Sequence, residues 1–157
     1  MIQVGSTLPE VDFGLLVDGE MTNPGTNELF SDKRVVLFAV PGAFTPTCSQ
    51  AHLPGYVALA DKIKAKGIAA IYCVSVNDAF VMKAWGESQN AQQIDMLADG
   101  DGSFTKALGL DKDTGSFGGT RSTRYAMIVD DNVVTGLFVE KDKEFSVSRA
   151  ESVLEKL

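Results

Sequence analysis

The residue of this chain best suited to chemistry is Cys48, which ends the segment Pro41-Gly42-Ala43-Phe44-Thr45-Pro46-Thr47-Cys48. An uncharged apolar run at residues 35–40 precedes the segment and predicts a buried strand. Helical sequence begins near Cys48, so we expect the thiol at a helix N-terminus, where N–H groups and partial positive charge favour the thiolate. The alternative is a small buried apolar role, but the surrounding residues are typical of a loop.

A single thiolate at this position favours attack on an electrophile. The sequence Cys48-Ser49-Gln50-Ala51 lacks the second cysteine of a CxxC motif, which makes a disulfide oxidoreductase the weaker hypothesis. An isolated thiolate can instead attack a peroxide oxygen and become a sulfenic acid. Because the leaving oxygen develops negative charge, that attack requires hydrogen-bond donors and a cation nearby.

Three other residues are candidates to assist Cys48. Thr45 lies three residues earlier, so its hydroxyl can fold over the sulfur and orient a peroxide or accept its proton in a hydrogen bond. It can equally be a helix N-cap. Arg121 and Arg124 are candidate cations, although either could be a surface salt-bridge partner. Arg124 is the stronger candidate, because it opens an apolar strand from whose end its side chain can reach a thiolate.

The order of the predicted elements indicates a fold that can bring these residues together. Residues 35–40 and 68–76 predict core strands on either side of a helix at 54–66, and 94–98 predict a third strand. Hairpins are predicted at Asp18-Gly19 and around residues 130–132, with a short helix at 103–108 between them. Strand–helix–strand implies a parallel pair. The sequence therefore predicts one α/β domain over residues 1–157: a thioredoxin-like sandwich with a mixed sheet, N-terminal β additions and flanking helices.

Some details of this prediction are specific. The helix capped by Asn77 or Asp78 is expected to present an apolar face made of Phe80, Val81, Ala84 and Trp85. Residues 111–123 are expected to form a mobile loop, because glycines and small polar residues dominate them. Ser148 and Glu151 fit a capping box for a helix over residues 149–157. Phe44 and Phe117, in predicted loops, are candidates for a dimer interface or for the lip of a pocket.

Composition narrows the class of partner. The 157 residues carry 21 acidic and 14 basic side chains, and the net charge of −7 disfavours nucleic acid or an anionic membrane as the main partner. No run approaches the roughly 18 apolar residues of a membrane span, and residues 1–16 lack the pattern of a secretion signal, so we expect a cytoplasmic protein. With two cysteines and one histidine, a zinc site is disfavoured.

Three segments, in order along the chain, resemble one family. Val-Pro-Gly-Ala-Phe-Thr-Pro-Thr-Cys-Ser at residues 40–49 resembles the PxxxTxxC active-site signature of the peroxiredoxins. Together with His52, Leu53, Pro54 and Gly55, it is similar to the type II, peroxiredoxin-5-like group. Residues 71–85 and 121–127 match the same group, so the resemblance spans essentially the whole chain.

The resemblance implies a reaction and assigns roles. Cys48 matches the peroxidatic cysteine, Thr45 its hydroxyl partner, Pro41 the shield of the sulfur and Arg124 the active-site arginine. The implied reaction reduces hydrogen peroxide and alkyl hydroperoxides to water or alcohol without a metal, haem or flavin. Many members are homodimers that pair through loops near the active site. A non-catalytic redox sensor or interaction protein using the same thiol is the alternative function.

The thiol that regenerates Cys48 is left open by the sequence. Members with a C-terminal resolving cysteine carry it in the region that reads Phe145-Ser146-Val147-Ser148 here, which contains none. Cys73 matches a second cysteine of plant and many bacterial members, but its position within a predicted strand favours a packed thiol. A disulfide needs Cα atoms within about 7 Å and hence local unfolding around Cys48. Otherwise the resolving thiol comes from glutathione with glutaredoxin, or from thioredoxin.

His52 lies four residues after Cys48 and is a candidate base on that spacing. A cysteine activated by a helix end and an arginine does not need a base. We therefore favour a structural role, in which His52 forms a hydrogen bond to a neighbouring loop or strand.

Overall fold

The computed structural model describes residues 1–157 as nine strands and five α-helices. The strands are β1 (Leu15–Val17), β2 (Glu20–Thr22), β3 (Arg34–Ala39), β4 (Ala70–Ser75), β5 (Asp95–Ala98), β6 (Asp111–Asp113), β7 (Thr120–Ser122), β8 (Tyr125–Asp130) and β9 (Val133–Val139). The helices are α1 (Thr26–Phe30), α2 (Leu53–Lys64), α3 (Ala79–Ser88), α4 (Ser103–Leu108) and α5 (Ala150–Leu154). A π-helical turn, Cys48–His52, leads into α2.

Five strands form one mixed sheet in the order β5-β4-β3-β8-β9. β4 is parallel to both β3 and β5, whereas β8 and β9 form an antiparallel hairpin on the other side of β3. The predicted parallel pair, third strand and C-terminal hairpin are confirmed. Because Ala39 pairs with Tyr125, the end of β3 lies beside the start of β8. The segment that leaves β3 toward Cys48 is therefore adjacent to Arg124.

Alternate residues of β3 pack into two cores, one on each face of the sheet. Val36 and Phe38 join Cys73 and the buried residues of α2, α3 and α5. Val35 and Leu37 join the buried residues of α1 and α4 on the other face. Helices covering both faces explain why β3 is continuously apolar rather than alternating. The architecture is the predicted thioredoxin-like α/β sandwich.

The N-terminal additions are confirmed as a short hairpin followed by one helical turn. β1 and β2 pair antiparallel around Asp18 and Gly19, whose φ angles of 51° and 82° suit a tight hairpin turn. α1 then packs Leu29 and Phe30 under the sheet. None of the chain's helices combines the length and apolar character needed to cross a bilayer.

The prediction of a structureless loop at residues 111–123 is wrong. β6 and β7 pair antiparallel within it, and the hydroxyl of Thr114 donates to the carbonyl of Gly119 at 2.7 Å. The tip uses Gly115 and Gly119 at positive φ. All three residues of β6 are polar and exposed. The strand therefore lacks the alternation of apolar and polar residues by which a sequence predicts a half-buried strand.

The predicted apolar face of α3 is wrong in part. Asp78 caps the helix, as predicted, by accepting a hydrogen bond from the amide of Val81 at 2.8 Å. The buried residues of the helix are Ala79, Met82, Trp85 and Gly86. Phe80 is 66% exposed, because the face that meets the sheet follows Ala79 and Met82 instead.

The predicted capping box at the C-terminal helix is also wrong. α5 spans Ala150–Leu154 with Arg149 as its N-cap residue and no side-chain cap bond. The Ser148 hydroxyl donates instead to Glu140, and Glu151 pairs with Arg149 at 3.2 Å. Ser148 and Glu151 thus have partners outside the motif that their spacing suggests.

Candidate active site

Cys48 lies where the chain leaves β3 and becomes helical, as predicted. Residues 46 and 47 are already helical, and the amide of Ser49 donates to the carbonyl of Thr45 at 2.9 Å. The helix therefore begins well before residue 54, and the π-helical turn widens its first part. The Cys48 side chain is fully buried, at 0% exposure. Its backbone occupies a loop-to-helix junction, but its thiol lies in the core.

Two donors converge on the Cys48 sulfur. The hydroxyl of Thr45 donates to Sγ at 2.9 Å, and Nη2 of Arg124 donates to it at 3.2 Å. Thr45 also donates to the carbonyl of Gly42 at 2.7 Å, so its single proton has two acceptors and the side chain does not cap the helix. Donors from a hydroxyl and a guanidinium both favour negative charge on the sulfur.

The sheet delivers Arg124 to a cysteine 76 residues away in sequence. Arg124 immediately precedes β8, beside the end of β3, and its carbonyl accepts a hydrogen bond from the amide of Glu140 at 3.0 Å. Arg121, the other candidate cation, donates to the carbonyls of Gly118 at 3.1 Å and Val76 at 3.2 Å. Arg121 therefore braces loops next to the site, while Arg124 contacts the sulfur.

His52 sits behind Arg124 and is fully buried. Its Nδ1 lies 2.8 Å from Nη1 of Arg124, and its Nε2 lies 3.1 Å from the carbonyl oxygen of Ser148. Burial, and secondarily the charge of Arg124, lowers the pKa of His52 from 6.5 to about 3. A neutral imidazole that accepts at Nδ1 and donates from Nε2 satisfies both contacts. Through these two hydrogen bonds, His52 links Arg124 to the loop before the C-terminal helix.

Pro41 lines a cavity of about 400 Å³ together with Thr47 and Arg124. The rest of its lining is mostly polar, and Phe145 is its apolar residue. The guanidinium of Arg124 lies 5.7 Å from the centre of the Phe145 ring, a cation–π distance. A smaller cavity of about 200 Å³ lies between β1, α3 and β5 and includes none of these residues.

Cys73 lies within β4, between Phe38 of β3 and Met96 of β5. It is free and fully buried, as is Cys48, and the two thiols belong to the same apolar core. Burial, and secondarily the neighbouring Cys48, raises the pKa of Cys73 well above its usual value. In this conformation Cys73 is a packed thiol and a poor nucleophile.

Several supporting residues are not evident from the sequence. The Asn77 side chain accepts from the amide of Ala43 at 3.0 Å and so holds the segment before Thr45. The indole of Trp85 donates to Ser49 at 2.9 Å, which ties α3 to the π-helical turn. Asn77 follows a predicted strand and Trp85 lies on a predicted apolar helix face, but neither position indicates these partners, because each bond joins segments that are distant in sequence.

Glu140, a buried carboxylate near the site, was not identified from the sequence. Glu140 follows β9, is 6% exposed, and accepts hydrogen bonds from the amides of Ser146 and Ser148. The carbonyl of Ser148 in turn accepts from the hydroxyl of Tyr56 at 2.7 Å as well as facing His52. Nothing in the spacing of residues 140 and 148 relates them to Cys48.

A desolvated cysteine that accepts from a threonine and an arginine, at the strand-to-helix junction of a thioredoxin-like sandwich, defines a thiol redox site. The Redoxin family model matches residues 3–154. Peroxiredoxin-2C of Oryza sativa subsp. japonica is 46% identical over 99% of this chain and 98% of its own length. The crystal structure of reduced Prx3 from Vibrio vulnificus in complex with H2O2 is 63% identical, covers 99% of both chains and gives a TM-score of 0.98.

The chain belongs to the peroxiredoxin family, as its sequence resemblance predicted, and is a thiol-dependent peroxidase. The crystal structure of the Plasmodium falciparum antioxidant protein, a 1-Cys peroxiredoxin, is also similar: it is 33% identical, covers 99% of this chain and 98% of its own, and gives a TM-score of 0.92.

Proposed function

We propose that this peroxidase reduces hydrogen peroxide and alkyl hydroperoxides through attack of the Cys48 thiolate. The observation that carries the proposal is the pair of donors on one buried sulfur, Thr45 at 2.9 Å and Arg124 at 3.2 Å. A cysteine that only fills the core requires neither donor.

In the proposed step, the sulfur forms an S–O bond as the O–O bond of the peroxide breaks. The leaving oxygen takes the bonding electron pair and the proton that the Cys48 thiol released on ionising, and departs as water or alcohol. The attacked oxygen keeps its own hydrogen, and Cys48 becomes a sulfenic acid. Arg124 stabilises negative charge first on sulfur and then on the departing oxygen. When the proton of Thr45 points to Gly42, its oxygen lone pairs can accept the peroxide proton and orient the substrate. These steps use protein side chains alone and call for no metal, haem or flavin.

The cavity beside the site supports small, polar substrates. Its volume is about 400 Å³, and Pro41 stands on its wall next to Thr47 and Arg124, where it can limit access of water to the sulfur. A lining with one apolar side chain favours hydrogen peroxide and short alkyl hydroperoxides over long apolar chains. Reduced Prx3 from Vibrio vulnificus, whose structure contains H2O2, supports the same class of substrate.

We further propose that the resolving thiol comes from another molecule, either glutathione with glutaredoxin or thioredoxin. The buried, protonated Cys73 supports this choice, because a disulfide with Cys48 would require part of the helical segment to unwind. Resolution by Cys73 is the competing proposal, and it makes a different prediction for the mass of the oxidised protein.

Exposed aromatic side chains near the site support a homodimer. Phe44, Phe80 and Phe117 are 56%, 66% and 79% exposed. Arg121 links the segments that carry Phe44 and Phe117 to the end of β4, since it donates to Gly118 and Val76 and lies close to Gly42, and Phe80 lies in the helix α3 that follows. Exposed aromatic residues are typical of protein interfaces. A reducing compartment such as the cytoplasm, the predicted location, would supply the required thiols.

The intact mass of the protein after one equivalent of peroxide tests the site and the resolving thiol together. We expect wild type and Cys73→Ser to gain one oxygen, as a sulfenic acid at Cys48, and Cys48→Ser to gain none. If wild type instead loses two hydrogens while Cys73→Ser gains an oxygen, Cys73 is the resolving cysteine.

Steady-state turnover separates the peroxidase from a sensor. We expect peroxide consumption with glutathione and glutaredoxin, or with thioredoxin, and none by Cys48→Ser. Turnover that survives in Cys48→Ser would remove Cys48 from the mechanism. Oxidation of Cys48 without turnover by any thiol system would instead indicate the redox sensor.

A further inference from the structure

The orientation of Arg124 depends on His52 rather than on a carboxylate. Nη2 of Arg124 donates to the Cys48 sulfur, and Nη1 contacts Nδ1 of His52 at 2.8 Å. The ion pairs of this chain, Lys83 with Glu87 and Arg149 with Glu151, involve other residues. The imidazole is therefore the acceptor that holds the second arm of the guanidinium and aims the first arm at the sulfur.

This contact requires one tautomer of His52. Nδ1 can accept from Arg124 only if the ring proton is on Nε2, and Nε2 lies 3.1 Å from the carbonyl oxygen of Ser148. The opposite tautomer would place an N–H of His52 against an N–H of Arg124. The Ser148 carbonyl, by accepting from Nε2, therefore stabilises the tautomer in which His52 can hold Arg124.

Glu140 holds the backbone and hydroxyl of Ser148, the residue whose carbonyl also accepts from the Tyr56 hydroxyl at 2.7 Å. One carboxylate oxygen of Glu140 accepts from the amide of Ser146 at 2.7 Å, the amide of Ser148 at 2.9 Å and the hydroxyl of Ser148 at 2.7 Å. Most residues between 141 and 147 are exposed, and the other contacts of this loop include the Phe145 ring, whose centre lies 5.1 Å from that of His52. The amide of Glu140 also donates to the carbonyl of Arg124 at 3.0 Å. Glu140 thus contacts both residues at the ends of the hydrogen-bonded series Ser148–His52–Arg124: its carboxylate binds Ser148, and its amide binds the carbonyl of Arg124.

We propose that Glu140 is a positioning residue for peroxide reduction: through the Ser148 carbonyl and the His52 tautomer it sets the orientation of Arg124 at Cys48. Glu140 does not contact the sulfur itself. Without the negative charge of the carboxylate, the three hydrogen bonds to this oxygen weaken, the loop loosens, and the Ser148 carbonyl no longer holds His52 firmly in the required tautomer. The inference rests on the role of Arg124 in the proposed function.

The test compares two reactions of Cys48 in Glu140→Gln, with Glu155→Gln as a matched control. Glu155 is exposed and makes no side-chain hydrogen bond, so its variant removes the same charge without changing the loop. Oxidation by hydrogen peroxide uses Arg124 at both the sulfur and the leaving oxygen, whereas alkylation by iodoacetamide uses it only at the sulfur. We expect Glu140→Gln to slow oxidation by about 10- to 100-fold and alkylation by less than about threefold, and Glu155→Gln to change neither.

A double-mutant cycle shows whether Glu140 acts through His52. In a His52→Ala background, Glu140→Gln should change the oxidation rate by less than about twofold, because the link to Arg124 is already broken. Independent, additive losses would overturn the proposal, as would equal slowing of oxidation and alkylation. If Glu140→Gln does not fold, Ser148→Ala deletes one donor and keeps the carbonyl, and should lower the ratio of the two rates about two- to fivefold. An unchanged ratio in the folded variant also overturns it.

Measuring the oxidation rate of Arg124→Ala beside that of Glu140→Gln distinguishes failure of this inference from failure of the proposed function. If Arg124→Ala leaves peroxide oxidation unchanged, the proposed role of Arg124 is wrong. If Arg124→Ala slows oxidation and Glu140→Gln does not, only the positioning role of Glu140 is wrong.

Discussion

Replacing Arg124 with alanine should slow the oxidation of Cys48 by peroxide about 100- to 1000-fold. The guanidinium is the cation at the sulfur, with Nη2 at 3.2 Å from Sγ, and the sulfur is fully buried. Removing one donor aimed at developing negative charge in a water-excluded site costs about 2.7–4 kcal/mol. Each 1.36 kcal/mol corresponds to about a tenfold change in rate, which gives the expected range.

The same substitution should also destabilise the fold, and this effect has to be measured separately. Arg124→Ala leaves Nδ1 of His52 without its donor in a fully buried position. An unsatisfied buried polar group costs about 1–3 kcal/mol. Arg124→Lys keeps the charge but cannot reproduce a fixed two-armed contact with His52 and Cys48, so we expect an intermediate loss of rate.

Stopped-flow fluorescence is a suitable assay, because Trp85 is the only tryptophan and donates to Ser49, the residue after Cys48. Arg34→Ala is the control: Arg34 begins β3, at the opposite end from Cys48, and donates to the carbonyl of Lys66. Urea unfolding of each variant confirms that the folded protein is measured. An Arg124→Ala oxidation rate within threefold of wild type would refute the reasoning.

Two further predictions concern Thr45 and His52. Thr45→Val should slow oxidation at least about tenfold while Thr45→Ser stays close to wild type, because a hydrogen bond to a charged group contributes about 1.5–3 kcal/mol; equal rates in stopped flow would remove the hydroxyl from the mechanism. His52 has a pKa lowered to about 3, by burial and then by Arg124, against 6.5 unfolded, so only the unfolded chain binds its proton between these values. Its contribution to stability is complete above pH 6.5 and falls by up to about 1.4 kcal/mol per pH unit toward pH 3. Urea unfolding at pH 7 and pH 5 should show a steeper loss in wild type than in His52→Gln, and parallel losses would contradict the assignment.

Local patterns predicted the elements that carry a strong apolar signal. β3, β4 and the β8–β9 hairpin follow from runs of apolar residues bounded by turn residues. The β6–β7 hairpin escaped prediction because its residues are polar and exposed, so its pairing leaves no hydrophobic period. The apolar face of α3 was misjudged because an aromatic residue, Phe80, is exposed there.

The sequence by itself determined the part of the site whose residues are close together in the chain. Thr45 and Cys48 are three residues apart in one turn, so the contact between hydroxyl and sulfur follows from local geometry. The breaking of β3 by Pro41 and Gly42 and the start of a helix near Cys48 are equally local. Those features, with the motif at residues 40–49, were enough to indicate the reaction class.

Only the tertiary structure decided the part of the site whose residues are far apart in the chain. Arg124 reaches Cys48 because β8 pairs antiparallel with β3, and that register brings residue 124 beside the end of β3. The tautomer of His52 depends on a carbonyl at Ser148, which a carboxylate at Glu140 holds in place. The contacts of Arg124 with His52 and Cys48, and of His52 with Ser148, join residues 72 to 96 positions apart, and hydrogen bonding across such separations has no sequence period. The position of the thiol is specified locally, whereas the guanidinium that contacts it is positioned by the fold.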